Sequence, residues 1–131
     1  MQLIDHEAMP VEWRGRHNDI EHRTLLDHTN GAMEMSLWLV RPPQGAGAPP
    51  HIHQHEETIT VLSGSIKIQI DRQVVDVEAG QTVFIPVHSG HSFAVTSEQP
   101  AELLVAFPVA DPQYESIDWK TWFAKDTPND A

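Results

Sequence analysis

The feature that most restricts the fold is a succession of short, strand-like segments from Arg23 to Phe107, separated by turn signals at close intervals. The segment 65–71 alternates cleanly, with three isoleucines on one face. Ten prolines and seven glycines favour short strands and turns over long helices. A parallel βαβ sheet is disfavoured, because no helical pattern of about 10–15 residues separates the strands. The sequence therefore predicts an all-β sandwich or barrel.

Size and charge exclude several functional classes. The 131 residues fit one domain, and no stretch approaches the roughly 18–20 apolar residues of a membrane span. The N-terminal residues show neither the basic region nor the apolar run of a signal peptide. A net charge of −11 makes nucleic acid and anionic membranes poor partners. The absence of cysteine fits a cytoplasmic protein and means that any metal ion must be held by histidine and carboxylate.

The first strands are predicted around a turn. Asn30-Gly31 is a two-residue turn signal, which we expect to join 23–28 and 33–40 as a hairpin. The composition of 44–50 is that of a loop. In the second strand, alternation places four apolar residues on one face: Met33, Met35, Leu37 and Leu39.

The candidate functional residues lie in the segment that begins at His51. It reads as one continuous strand, and counting by twos places six residues on one face: His51, His53, His55, Glu57, Ile59 and Val61. A further histidine, His91, follows in the segment 86–91. Imidazole suits Zn, Cu, Fe and Ni, while carboxylate suits Mn and Mg. The mixture indicates a site for a divalent first-row ion.

The spacing of these residues resembles the two motifs of the cupin superfamily. The first motif, G-x5-H-x-H-x3-E-x6-G, is matched at every position: Gly45, His51, His53, Glu57 and Gly64. The second, G-x5-P-x-G-x2-H-x3-N, is matched by Gly80, Pro86 and His91. It is altered at two positions, where His88 replaces the glycine and Val95 replaces the asparagine.

The resemblance implies an antiparallel double-stranded β-helix, or jelly-roll barrel, with one metal ion near its mouth. Residues 1–131 would form a single cupin domain, with a barrel core at about 33–108, N-terminal strands in 1–32 and a C-terminal extension in 109–131. The implied ligands of one divalent transition metal (Mn, Fe, Ni or Zn) are His51, His53, Glu57 and His91. Four protein ligands leave about two octahedral positions open, as substrate or water requires.

Other polar residues are weaker candidates. His55 has the parity to face inward, but the motif passes over it, so we expect a hydrogen-bonding role at the rim. Glu56 should be solvated. His88 is either an acid or base at the mouth or a loop histidine, so His88 and His55 are the candidate catalytic residues. No role is predicted for Tyr114. Surface placement is expected for the remaining histidines: His6, His17, His22 and His28.

The C-terminal segment 116–123 is predicted to be a short helix or extended. Its aromatic residues Trp119, Trp122 and Phe123 need burial, either over the barrel or against a second subunit. Because small barrels also expose sheet edges, a homodimer is expected. The last residues, 126–131, are expected to be frayed.

The favoured function is that of a metal-dependent enzyme, a dioxygenase or a lyase, acting on a small organic substrate at a centre of three histidines and one glutamate. The alternative is a non-catalytic barrel that binds or senses a small molecule. We expect an enzyme to have a cavity that reaches the ion, with His88 or His55 near an open coordination position of that ion. In a non-catalytic binding barrel we expect side chains to fill the cavity. The apolar residues expected to face inward are Leu37, Leu39, Ile59, Val61, Ile66, Ile68, Val83, Ile85, Phe93 and Val105.

Overall fold

The computed structural model describes residues 1–125. Within them the chain forms eleven strands and one α-helix: β1 (Glu12–Arg14), β2 (Ile20–Leu26), β3 (Ser36–Arg41), β4 (Gly47–Ile52), β5 (Glu57–Ser63), β6 (Ser65–Ile70), β7 (Gln73–Glu78), β8 (Thr82–Ile85), β9 (His91–Val95), β10 (Glu102–Phe107), β11 (Glu115–Ser116) and α1 (Trp119–Ala124). Short 3₁₀ turns lie at His6–Ala8 and His28–Asn30. The prediction of a frayed end over 126–131 lies outside the described residues.

The strands form two antiparallel sheets. One has six strands in the order β1-β2-β3-β10-β5-β8, and the other has five in the order β11-β4-β9-β6-β7. The two sheets share one apolar core, to which Ile59 and Leu103 contribute from the first sheet and Ile66 and Ile68 from the second. The predicted antiparallel double-sheet barrel is therefore confirmed. Of the two conformations predicted for the C-terminal segment, a short helix or an extended segment, the structure shows the helix. Within residues 1–125, no helix is long and apolar enough to cross a membrane.

The prediction of one continuous strand from His51 to Val61 is wrong. β4 ends at Ile52 in the five-stranded sheet, and β5 begins at Glu57 in the six-stranded sheet. Residues 53–56 carry the chain from one sheet to the other. Alternation along a single strand therefore does not describe how these side chains are directed.

The loop predicted over 44–50 is also shorter than expected, because β4 already begins at Gly47. Proline lacks the N–H group that a ladder requires. The pairing of β4 with β9 is accordingly irregular between Ala48 and His51, where Pro49 and Pro50 lie.

β2 and β3 pair as predicted, but not through a two-residue hairpin turn. The 3₁₀ turn His28–Asn30 ends at Gly31, which has a φ of 114°. β3 then begins only at Ser36, so Met33 and Met35 precede the strand and lie exposed. Glycine adopts a left-handed φ at little conformational cost, so the chain can turn at Gly31. The connection between β2 and β3 is nevertheless longer than a two-residue hairpin turn.

The assignment of Leu37 and Leu39 to the inward face is wrong. Val40 is part of the shared core and Trp38 packs against it, so the alternate residues Leu37 and Leu39 point to the outer face. Leu39 is nevertheless only 1% exposed. Apolar residues occupy both faces of β3, and alternation alone cannot identify the inner face of such a strand.

The N-terminal segment is anchored on the outer face of β2 by the buried Arg23. Its guanidinium Nη1 donates hydrogen bonds to the carbonyl oxygens of His6, Glu7 and Met9, at 3.2, 3.0 and 2.8 Å. Hydrogen bonds from a charged donor are among the stronger ones in proteins. The anchor fixes the segment that leads into β1.

The C-terminal aromatic residues pack against the chain's own barrel. The indole Nε1 of Trp122 donates a 2.8 Å hydrogen bond to Asp71 Oδ1, and the Arg72 guanidinium lies 4.2 Å from the centre of the Phe123 ring. Trp119 is half-buried and stacks on Phe123. The sequence analysis expected these residues to be buried either over the barrel or against a second subunit. Within residues 1–125 they pack over the barrel. The homodimer stays a prediction.

Surface placement holds for His6, His17 and His28 but is wrong for His22. The His22 side chain lies on β2, is 3% exposed and packs edge-on against Trp38 with ring centres 4.9 Å apart. Burial, assisted by the positive charge of Arg14, lowers the pKa of His22 to about 4, against the smaller opposing effects of Glu12 and Asp27.

The close approach of β4 to β9 predicts unequal effects of two glycine substitutions. A Cβ at Gly47 would stand 1.9 Å from the Phe93 carbonyl oxygen, whereas a Cβ at Gly45 meets nothing within 4 Å. We expect Gly47→Ala to lower the free energy of unfolding by about 3 kcal/mol or more. Gly45→Ala should lower the free energy of unfolding by only about 1–2 kcal/mol, because alanine is strained in the left-handed backbone conformation of this position. Urea unfolding of both variants measures the difference, and equal losses would contradict the predicted clash.

The burial of His22 predicts an acid-sensitive contribution to stability. The folded chain keeps this imidazole neutral down to a pKa of about 4, while the unfolded chain protonates it near its ordinary value of about 6.5. The unfolded state therefore binds more protons in this window, and stability falls as the pH decreases from about 6.5 to about 4. We expect His22→Gln to flatten this decline in urea midpoints, and His28→Gln, at an exposed position, to leave it unchanged. An unaltered slope in the His22 variant would refute the assignment.

Candidate metal centre

Four side chains from separate segments meet beside the barrel core. His51, His53, Glu57 and His91 each place one ligand atom within 4.8 Å of the others. His51 on β4 is the direct cross-strand partner of His91 on β9. His53 follows the end of β4, and Glu57 is the first residue of β5. The crossing between the sheets thus brings a carboxylate of one sheet against the histidines on and beside the other. We call these four residues the tetrad.

Each imidazole of the tetrad is oriented by a backbone carbonyl. Nδ1 lies 2.7 Å from the Pro49 oxygen in His51, 2.6 Å from the Gln113 oxygen in His53 and 2.9 Å from the Ser89 oxygen in His91. A carbonyl oxygen only accepts hydrogen bonds, so Nδ1 carries the proton in all three rings. In the neutral rings, Nε2 then presents a lone pair, which is the form in which histidine binds a metal ion.

The atoms at the centre of the tetrad lack hydrogen-bond partners. Glu57 Oε1 lies 3.0 Å from His91 Nε2 and 3.3 Å from His53 Nε2. Within residues 1–125, however, neither Glu57 Oε1 nor His91 Nε2 makes a hydrogen bond, although both are buried. Buried polar atoms without partners are costly, so acceptors that face each other in this way require a cation between them.

The electrostatics favour an ionised glutamate at this position. Burial is the largest influence and acts to raise the pKa of Glu57, but the neighbouring imidazoles of His53 and His91 outweigh it and hold that pKa below its ordinary value. Burial, together with the neighbouring imidazole of His91, lowers the pKa of His51 to about 4. At neutral pH the tetrad therefore combines a negative carboxylate with a neutral His51.

The donor set fits a divalent transition metal. When two donor atoms each lie about 2.1 Å from one ion and the angle between them at the ion is 90°, the two donor atoms are about 3.0 Å apart. The distances from Glu57 Oε1 to the two imidazoles are close to this value. The tetrad supplies nitrogen and carboxylate oxygen donors, which Mn, Fe, Ni and Zn all accept. The four residues could therefore hold one such ion, in agreement with what the motif resemblance implied.

A cavity of about 320 Å³ opens directly onto the tetrad. Trp38 from β3 and Phe93 from β9 contribute aromatic surface from the two sheets. Further apolar residues along it are Ile20, Val40, Pro42, Ala48, Pro49, Ile59, Leu103 and Val105. A volume near 300 Å³ is at the small end of ligand sites, so the cavity suits a small organic molecule.

The structure does not bring the two candidate catalytic histidines into this cavity. His55 lies half-buried in the crossing segment and is absent from the cavity wall. His88 is exposed, its imidazole pairs with the side-chain oxygen of Gln54, and it lines a separate groove beside α1. Glu56 is exposed, as expected. The tetrad residues are brought together and the two additional histidines are not.

Four polar residues of the cavity were missed by the sequence analysis. Arg14 and His22 line it from the antiparallel pair of β1 and β2. Tyr114 and Ser116 line it from the C-terminal segment, with the Tyr114 ring 6.1 Å from that of His51. They lie on or beside short edge strands, and Tyr114 precedes the two-residue β11. No motif surrounds them in the sequence, so only the spatial position of these edges identifies them.

Comparison with solved structures supports the fold over the whole chain. A polyketide cyclase, RemF from Streptomyces resistomycificus, is 23% identical with a TM-score of 0.74, covering 98% of this chain and 94% of its own. An RmlC-like cupin from Shewanella frigidimarina is 20% identical with a TM-score of 0.69, covering 82% and 90%. KdgF from Halomonas sp. is 14% identical with a TM-score of 0.71, covering 85% and 96%. These similarities concern the fold.

A search of the curated proteins found no match. The family model described as "Cupin domain" matches residues 38–107, more than half of the chain. The matched segment contains the complete tetrad and both motifs on which the resemblance was based. The chain belongs to the cupin family.

Proposed function

We propose that this cupin is a metal-dependent enzyme that acts on a small, largely apolar organic molecule through an oxygen atom of that molecule. The observation that carries the proposal is the open cavity whose wall includes all four residues of the tetrad. A metal that served only to stabilise the fold would be enclosed by its ligands, whereas here the tetrad residues also line a space in which a small substrate fits.

The chain's own residues perform three tasks in this proposal. The tetrad holds the ion, and the carbonyl groups that accept from the Nδ1 atoms fix the imidazoles. A bound divalent ion would polarise a carbonyl group or lower the pKa of a bound water. The apolar wall around Trp38 and Phe93 excludes water and holds the body of the substrate. His22 and Tyr114 are the groups available there to exchange a proton with it.

Among the reaction classes, we favour one that depends on proton transfer to or from a substrate whose carbon skeleton bears oxygen atoms, as in a lyase or a cyclase. The buried, neutral His22 in the cavity supports such chemistry. The similarity to a polyketide cyclase over 98% of this chain includes both terminal segments that line the cavity, and it points the same way. A dioxygenase is the second candidate, because a centre of three histidines and one glutamate beside an apolar cavity also suits oxygen chemistry.

A non-catalytic binding barrel is the rival from another class. An unplugged cavity favours the enzyme, although the polar groups in it are His22 and Tyr114 rather than His88 or His55. We further propose a cytoplasmic homodimer without nucleic-acid or membrane partners. Exposed Val74 and Val75 on the edge strand β7, and Phe84 on the edge strand β8, support a contact between subunits.

Metal content tests the role of the tetrad. We expect the purified protein to bind about one divalent ion per chain, and His53→Ala and His91→Ala to lose most of it, because each removes a donor from the buried set. His55→Ala is the matched control, since it removes a neighbouring imidazole that lies outside the tetrad. Elemental analysis after dialysis gives the measurement. Unchanged metal content in both tetrad variants would refute the proposed centre.

Turnover under air and under nitrogen separates the reaction classes. The metal-loaded protein is incubated with β-diketones, polyketone chains and hydroxyaromatic compounds, and products are identified by mass spectrometry alongside an oxygen electrode. A lyase or cyclase should give equal rates in both atmospheres, whereas a dioxygenase should consume oxygen and incorporate both of its atoms. Binding without turnover of any compound would favour the non-catalytic barrel over the enzyme.

A further inference from the structure

The cavity has polar groups in two places, which divides it into two parts. The tetrad supplies one set, with Tyr114 and Ser116 next to His51. Arg14 and His22 supply another on the antiparallel pair of β1 and β2. Apolar residues such as Ile20, Val40 and Val105 make up much of the remaining wall. Both residues of the second set lie outside the segment 38–107 that matches the cupin family. The family match therefore gives no role to these two residues.

His22 is buried at a cost that its contacts within the protein do not offset. The side chain is 3% exposed, and among residues 1–125 its hydrogen bond is a long one of 3.3 Å, between Nε2 and Thr24 Oγ1. Burying a polar ring without strong partners is unfavourable. The neutral imidazole also keeps its second nitrogen, Nδ1, available as a donor or an acceptor. The ring is therefore able to take a further partner from a ligand in the cavity that it lines.

Aromatic rings connect the two polar sets along one side of the barrel. The His22 ring meets Trp38 edge-on at 4.9 Å, Trp38 meets Phe107 at 4.9 Å, and Phe107 meets the tetrad residue His53 at 4.9 Å. Phe107 belongs to the buried core, so the aromatic surface of the cavity comes from Trp38 and from Phe93 on the other sheet. Aromatic walls favour stacked or edge-on contacts with a flat π system. Trp38 and Phe93 therefore suit a ligand whose body is flat and aromatic.

Arg14 limits the charge of the group that can bind beside His22. Its guanidinium lies 5.7 Å from the centre of the Trp38 ring and forms an ion pair of 2.7 Å with Glu12. The pairing partly neutralises the positive charge in this region, and the site is partly exposed. A hydroxyl or carbonyl oxygen suits this environment better than a carboxylate, which would meet the negative charge of Glu12.

We propose that Arg14 and His22 form a second recognition point, at which a distal oxygen of a flat aromatic substrate binds while its first oxygen lies at the tetrad. The substrate class is thus an aromatic compound with oxygen atoms at two separated positions. The inference rests on the proposed function, because it takes the tetrad as the site of the first oxygen.

The test compares two probes that differ by one distal hydroxyl group, 2-naphthol and naphthalene-2,6-diol, by calorimetry on the metal-loaded protein. We expect the diol to bind about tenfold more tightly, the equivalent of one good hydrogen bond. His22→Phe should abolish this preference while retaining the affinity for 2-naphthol, and His22→Gln, which keeps a hydrogen-bonding group, should preserve part of it. Metal content verifies that each variant retains an intact centre.

The outcomes separate this inference from the proposed function. Equal binding of the two probes, a preference that survives in His22→Phe, or no binding of either probe would overturn the second recognition point. If metal-free protein binds 2-naphthol as tightly as metal-loaded protein does, the first oxygen does not lie at the tetrad, and the proposed function fails. The diol preference and its loss in His22→Phe would still establish that the distal oxygen is recognised at His22.

Discussion

The rest of the site depends on an ionised carboxylate, Glu57, held against imidazole lone pairs where water has little access. Glu57 is 5% exposed and His91 is 1% exposed, and their facing atoms are unpaired. Such an arrangement is unfavourable in the folded chain unless a cation occupies it. Backbone carbonyls reinforce the requirement by fixing the protons on the Nδ1 atoms. Binding an ion would thus convert a local cost into a stabilising contact.

The double-sheet architecture makes this arrangement possible. Neighbouring positions on one strand point to opposite faces, so a single strand cannot surround an ion. Here the chain leaves the five-stranded sheet after Ile52 and enters the six-stranded sheet at Glu57, which sets a carboxylate opposite the cross-strand pair His51 and His91. The tight approach at Gly47 keeps β4 against β9 and so supports that pair. The geometry of the site follows from the fold around it.

Much of the fold and the tetrad could be predicted from the sequence, because strand alternation, turn residues and motif spacing are local signals. The clean alternation of 65–71 corresponds to β6, and the four ligands implied by the motif do meet. The orientation of β3 could not be predicted, because apolar residues occupy both of its faces. The burial of His22 and the position of Tyr114 depend on which edge strands border the cavity. That information is contained only in long-range pairing.

The cavity is lined both by residues that the cupin family model matches and by residues outside the matched segment. The segment 38–107 contributes the tetrad and most of the apolar wall, whereas Arg14, His22 and Tyr114 come from segments on either side of it. Two cupins can therefore share the same ligands and still present different polar groups to a substrate. For this reason the family match defines the metal-binding scaffold but leaves the reaction open. In this chain, Arg14 on the edge strand β1 and His22 on the neighbouring strand β2 are positions where the specificity of the cavity can change without replacing a residue of the tetrad.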